Sequence, residues 1–182
     1  IRNQGRPGAA KGPFQIRHAL AELAFHGGQI VHDRGNVAVD GHDMEKAQAD
    51  AADKLAEIIP EHRMTVVLGG GHETTYAAYS GLAASGELNG VKKWGMISFD
   101  SHFAVRNTPQ PTAVTAVRQV ITDEKKAGRD FSCSVVGVSE VSNTRAQFEH
   151  ARDLELSYLK DEECAECRIQ DCLLYTSDAA DE

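Results

Sequence analysis

Apolar positions along the chain fall into two alternating patterns, short continuous runs and stripes at helical spacing. The runs at 65–68 and 94–99 read as buried parallel strands, because a strand covered on both faces loses the period-two alternation of a half-exposed one. A short strand is expected at 29–32, followed by the turn signal Asp33-Arg34-Gly35-Asn36. Further strands are expected at 132–138 and from 156–159. Between them lie helical stretches. The first runs from Pro13 to about His26, with Ile16, Leu20 and Leu23 recurring on one face and Pro13 in the first turn. The second covers 44–59, with Asp43 at its start and Pro60 just past its end. Others are expected at 73–84, stopped near Gly86, at 113–126, ending before Gly128, and at 143–154. Strand and helix alternate throughout. That order predicts an α/β fold of three α/β/α layers around a mainly parallel sheet.

Two of the expected strands end in polar segments. The run at 65–68 leads into Gly69-Gly70-Gly71-His72, and the run at 94–99 leads into Asp100-Ser101-His102. Open α/β folds build their sites at the carboxyl ends of strands, so both segments are expected at one sheet edge. Asp100 and His102, two apart at a strand end, should face one pocket, with position 104 on the same face. A carboxylate with imidazoles suits a divalent transition ion such as Mn²⁺, Zn²⁺ or Fe²⁺ better than Ca²⁺ or Mg²⁺. Other uses of the glycine segment stay open. A Gly-rich turn opening a helix can cradle phosphate, although His72-Glu73-Thr74 stand where a Walker motif has Lys followed by Ser or Thr. His72 can also be a capping or core histidine.

Composition narrows the class. A formal net charge of −8 argues against a nucleic-acid or anionic-membrane surface, and no apolar run approaches the ~20 residues of a membrane span. Without a signal-like h-region in its first residues, the chain is expected in the cytoplasm. The cysteines Cys133, Cys164, Cys167 and Cys172 cluster in the last third, which is not the spread of a secreted disulfide framework. Cys164 and Cys167 have the CxxC spacing of a zinc or redox pair, but reduced thiols without a ligand are the expectation. One domain is expected over 1–171, truncated at both ends, with a further strand expected before the opening Gly/Pro-rich loop. Residues 172–182 resemble translated sequencing-adapter bases and are expected to be a non-native tail.

With these segments in order, the sequence resembles the ureohydrolase family, the arginase and agmatinase group. The segments are Arg2 to Arg6 with Gly8 to Pro13, Gly69 to Glu73, Ser98 to Phe103 with Arg106, and Gly137 to Glu140 with Ser142-Asn143-Thr144. The likeness is greatest to the branch that hydrolyses N-formimidoyl-L-glutamate to L-glutamate and formamide in histidine degradation. The resemblance implies two Mn²⁺ ions, with His72 on one, His102 on the other and Asp100 bridging them. It also implies that a hydroxide held by the metals, with no side-chain nucleophile, attacks the amidine-type carbon of a small-molecule substrate. Arg106, and more distantly Arg2 and Arg6, become candidates for pairing the substrate carboxylates. The family usually forms homo-oligomers. Three departures stand out. Ala104 stands where the family has a metal-binding aspartate, the family's later Asp-x-Asp segment is expected beyond the point where this sequence stops, and 108–117 lacks a Gly-Thr-Pro-Phe-like run. An inactive ureohydrolase-like protein, or another ureohydrolase such as an agmatinase, is therefore the alternative, and the chain by itself is expected to be inactive.

Overall fold

The computed structural model describes residues 8–38 and 43–164, which divide into two compact units. The first comprises Ile1–Glu87 with Pro111–Ala113, the second Leu88–Gln110 with Val114–Glu182.

The described part of the first unit is helical. Helix α1 spans Gly12–Ala21, α2 Met44–Ile58 and α3 Thr74–Ala84. Pro13 sits in the first turn of α1, where its missing N–H costs nothing. The Asp43 side chain caps α2 by accepting from the Lys46 amide at 2.9 Å. Met44, Gln48, Ala52, Leu55 and Ile58 recur at three- and four-residue intervals and are buried, and α2 packs against α3. Buried Gln48 is satisfied by donating from Nε2 to the Glu73 carbonyl at 3.1 Å.

Three expectations fail here, for a common reason. Residues 29–32 and 65–68 form no ladder, and α1 ends at Ala21 instead of reaching His26. A strand is held by its neighbours, and among the described residues nothing pairs with either run. Ile30, Val31 and Val66 are accordingly exposed. The apolar stripe of α1 is exposed as well, through Phe14, Ile16 and Leu20, so no packing prolongs a short helix of modest propensity.

The second unit carries the sheet. Strands β1 (Lys93–Phe99), β2 (Asp130–Val138) and β3 (Ser157–Lys160) lie in the order β1-β2-β3, all parallel. Their register runs from Lys93 opposite Asp130 to Phe99 opposite Val136, then from Ser134 opposite Ser157 to Val138 opposite Lys160. The β2–β3 ladder is offset at Gly137, whose φ of +93° is open to glycine and strained for other residues. Helix α4 (Ala116–Ala127) ends on the left-handed Gly128, and α5 (Arg145–Asp153) starts with a capping box between Thr144 and Gln147. Central strand β2 is buried at Cys133, Ser134, Val135 and Val136 in succession, the continuous run expected of a strand covered on both faces. The core gathers Phe103, Val105, Val117, Ile121, Val135, Val138 and Ala151. The parallel α/β architecture expected from the sequence is thus present.

Burial pushes the Cys133 thiol from its usual value near 9 up to about 12. Between those values the folded chain keeps a proton that the unfolded chain has lost, so stability falls as pH rises through that window. Iodoacetamide at pH 8.5 should leave Cys133 unmodified in the native protein and alkylate it on unfolding. Peptide mass spectrometry reads the result, and rapid native labelling of Cys133 would contradict its burial. No helix among the described residues is long and apolar enough to cross a membrane.

Candidate metal centre

Strand β1 continues by one hydrogen bond past its end, from the Asp100 amide to the Val136 carbonyl at 3.1 Å. There the chain turns. The Asp100 carboxylate accepts from the His102 amide at 2.9 Å, closing an Asx turn over Ser101. The turn swings the imidazole back, and His102 Nδ1 lies 3.5 Å from Asp100 Oδ1 and 2.9 Å from Ser101 Oγ. Asp100 is 24% and His102 51% exposed at the side chain, so both remain accessible to a ligand.

The next residues plunge inward. Phe103 is fully buried, edge-on to Phe148 and to Tyr158 with ring centroids 5.1 Å away in each case. Ala104 is only 4% exposed and adopts φ +51°. The sequence expectation that position 104 shares a face with Asp100 and His102 is therefore corrected. Period-two alternation needs extended backbone, and the chain leaves it at the Asx turn, so Ala104 joins the apolar core.

Asn143, in the connection from β2 to α5, holds this turn. Its Nδ2 donates to the Ser101 carbonyl at 2.7 Å and to the Ser139 carbonyl at 2.8 Å, and its Oδ1 accepts from the Phe103 amide at 3.3 Å. Sequence inspection placed Asn143 in a family-like segment and gave it no role, because no periodicity or spacing marks a residue that acts on main chain about forty positions away.

His72 lies in the first unit, in the turn entering α3, where the Thr75 amide donates to its carbonyl at 3.1 Å. The backbone of the glycine segment is closely approached by the start of α1. A Cβ on Gly12 would stand 3.1 Å from the Gly69 carbonyl oxygen, so the start of α1 occupies the space expected beside the loop. Asp100 and His102 belong to the second unit, and the strand expected to carry His72 to the same sheet edge is absent. Among the described residues, no group of three or more His, Cys, Asp or Glu side chains is gathered to hold a metal ion.

Arg106 is exposed, and its amide donates to the Val114 carbonyl at 3.0 Å. Arg2 and Arg6 lie outside the described residues, as do Cys167, Cys172 and the expected tail at 172–182. Cys164 is a free thiol whose Sγ donates to the Lys160 carbonyl at 3.2 Å.

Fold and turn together define a parallel α/β protein with Asp100 and His102 just past the carboxyl end of a strand, the usual location of a site in this class. The chain belongs to the arginase family, whose model matches residues 1–181. It is 38% identical over 164 residues to a formimidoylglutamase of Rhodococcus jostii (strain RHA1), covering 90% of this chain and 51% of that protein. It is 41% identical over 153 residues to the formimidoylglutamase of Chromobacterium violaceum, covering 84% and 48%. The chain thus spans about half the length of the curated relatives it matches. Among solved structures, formimidoylglutamase from Bacillus subtilis superposes with a TM-score of 0.83 at 20% identity, covering 98% of this chain and 59% of that one. Trypanosoma cruzi formiminoglutamase, crystallised with Mn²⁺, gives 0.79 at 22% identity, covering 96% and 62%.

Proposed function

We propose that this chain is part of a binuclear manganese hydrolase that cleaves N-formimidoyl-L-glutamate to L-glutamate and formamide. The observation that carries the proposal is the Asp100–His102 pair at the end of β1, a carboxylate and an imidazole 3.5 Å apart. In kind, these donors fit a divalent transition ion, since Mn²⁺ accepts mixed oxygen and imidazole ligands. The similarity to several formimidoylglutamases supports the substrate, and the manganese bound by the Trypanosoma cruzi protein supports the metal.

In this proposal Asp100, His102 and His72 would be the side chains that hold the ions, with Asp100 shared between them. The chemistry such ions would supply is activation of water for attack on the formimino carbon. The Asx turn keeps the Asp100 carboxylate beside the imidazole before any ion arrives, which reduces the ordering needed on binding. Arg106, on an exposed loop shortly after the turn, is assigned to pairing a substrate carboxylate, with Arg2 and Arg6 as secondary candidates. The protein is proposed to be cytoplasmic and homo-oligomeric.

A second possibility comes from Ala104, which brings no metal-binding atom to a buried, left-handed position. Asp and Asn tolerate that backbone better than Ala does, so Ala104→Asp introduces a carboxylate without adding backbone strain. In the full-length protein, wild type supplied with Mn²⁺ should release formamide and glutamate in equal amounts. Position 104 faces the apolar core and not the Asp100–His102 pair, so Ala104→Asp should lower the melting temperature and leave Mn²⁺ affinity unchanged. Tight binding of two ions without formamide release would overturn the substrate assignment. Inactivity of the wild type toward this and other linear amidines, with the metals bound, would favour a protein that has lost catalysis.

A further inference from the structure

We propose that Asn143 is a positioning residue that sets the metal affinity of the 100–104 turn. The inference rests on Asp100 and His102 being metal ligands, as proposed above. Three facts on this side chain support it. First, Asn143 is buried, at 8% exposure, so its amide has little access to bulk water. Second, all three of its contacts are with main chain: it donates to Ser101 O at 2.7 Å and Ser139 O at 2.8 Å and accepts from the Phe103 amide at 3.3 Å. Third, Ser101 and Phe103 flank His102, so one planar group grips the backbone immediately before and after that residue.

A side chain in this place must offer two N–H donors and one acceptor within a rigid plane, and asparagine does so at this length. Aspartate is nearly isosteric but has no donor, so a carboxylate would face the Ser101 and Ser139 carbonyls across repulsive contacts. Alanine would leave the Phe103 amide without its acceptor and the Ser139 carbonyl without this donor. Ser101 O would keep the Ser139 amide at 3.1 Å, so the turn would loosen on one side only. The Asp100 carboxylate has its own tie to the His102 amide, which moves with the same backbone. Asn143 therefore acts on both proposed ligands while touching neither side chain.

The comparison residue is Gln147, also buried and polar, at 4% exposure. It completes the capping box of α5 through Thr144 and has no contact with 100–104 given by its hydrogen bonds. Its loss should destabilise the unit without reaching the turn.

The test uses the full-length protein stripped of metal and titrated with Mn²⁺, with the free ion followed by electron paramagnetic resonance and thermal melts run alongside. Asn143→Ala and Asn143→Asp should each weaken Mn²⁺ binding by about ten- to a hundredfold, the usual effect of disturbing an outer-sphere partner. Gln147→Ala should lower the melting temperature comparably and keep Mn²⁺ affinity within about twofold. If Asn143→Ala does not fold, Asn143→Asp decides alone. Wild-type affinity in the Asn143 variants overturns the inference, and so does an equal loss in Gln147→Ala, which would mark the effect as general destabilisation. Asp100→Asn separates the two levels. If that variant binds Mn²⁺ like wild type, or wild type binds none, the metal assignment fails and the role of Asn143 falls with it. If Asp100→Asn loses the metal while the Asn143 variants keep it, only the role of Asn143 fails.

Discussion

Phe103→Ala is expected to destabilise the second unit by about 3–5 kcal/mol, the range for emptying a large buried aromatic site. The ring is fully buried and meets Phe148 and Tyr158 edge-on at 5.1 Å, with interplanar angles of 84° and 85°. Truncation therefore removes buried apolar area and two favourable ring contacts together. Relief by collapse is limited, because the Phe103 amide is tied to Asn143 and neighbouring Val105 is also fully buried. The single tryptophan, Trp94, lies in β1 beside Phe131, so its fluorescence reports this unit during urea denaturation. The midpoint should fall with the slope unchanged, and Phe103→Leu should lose clearly less. A loss below about 1 kcal/mol for the alanine variant would mean that the site closes over the cavity.

Arg129→Ala is expected to cost about 3 kcal/mol, the lower end of the range for removing one member of a buried ion pair. Glu124 is fully buried, and its carboxylate accepts from Arg129 Nε at 2.7 Å, from Arg129 Nη2 at 2.6 Å and from Trp94 Nε1 at 2.8 Å. Arg129 is 22% exposed at the side chain, so water enters when it is removed and part of the cost is recovered. What remains is a carboxylate inside the protein that has lost its cation. Replacing both partners, Glu124→Met with Arg129→Met, should restore most of the stability, because the penalty belongs to the orphaned charge more than to the lost attraction. Equilibrium urea unfolding of the two variants compares them directly. A double variant as unstable as Arg129→Ala would show that the pair itself stabilises the unit.

The α/β class, the three strands of the second unit and most helix limits were legible because local signals coincide there. Asp43 caps α2, Gly128 ends α4 in the left-handed region, and the β2 run is apolar and buried on both faces. Residues 29–32 and 65–68 misled because β-propensity does not supply a neighbour, and exposed Ile30, Val31 and Val66 have none among the described residues. Asp100 and His102 could be read as a pair from their spacing, whereas the inward course of Ala104 could not. A period-two argument holds only while the chain stays extended, and the Asx turn ends that at Asp100. The roles of Asn143 and Glu124 were invisible for a different reason. Their partners, Ser101 and Phe103 for one and Trp94 for the other, are thirty or more residues away, and no local pattern encodes such pairings.

The sequential order β1-β2-β3 also bears on the path by which the turn is made. Each strand meets its partner after one crossover, so loop-closure entropy is spent in small steps and the sheet can grow by addition. The 100–104 turn leaves β1 at the outset, yet its anchors come later in the chain: Asn143 follows β2, Phe148 lies in α5 and Tyr158 in β3. The turn should consequently reach its final shape last, after the barrier has been crossed. Stopped-flow kinetics of Phe103→Ala would then show faster unfolding with a nearly unchanged refolding rate, the behaviour of contacts formed on the native side of the transition state.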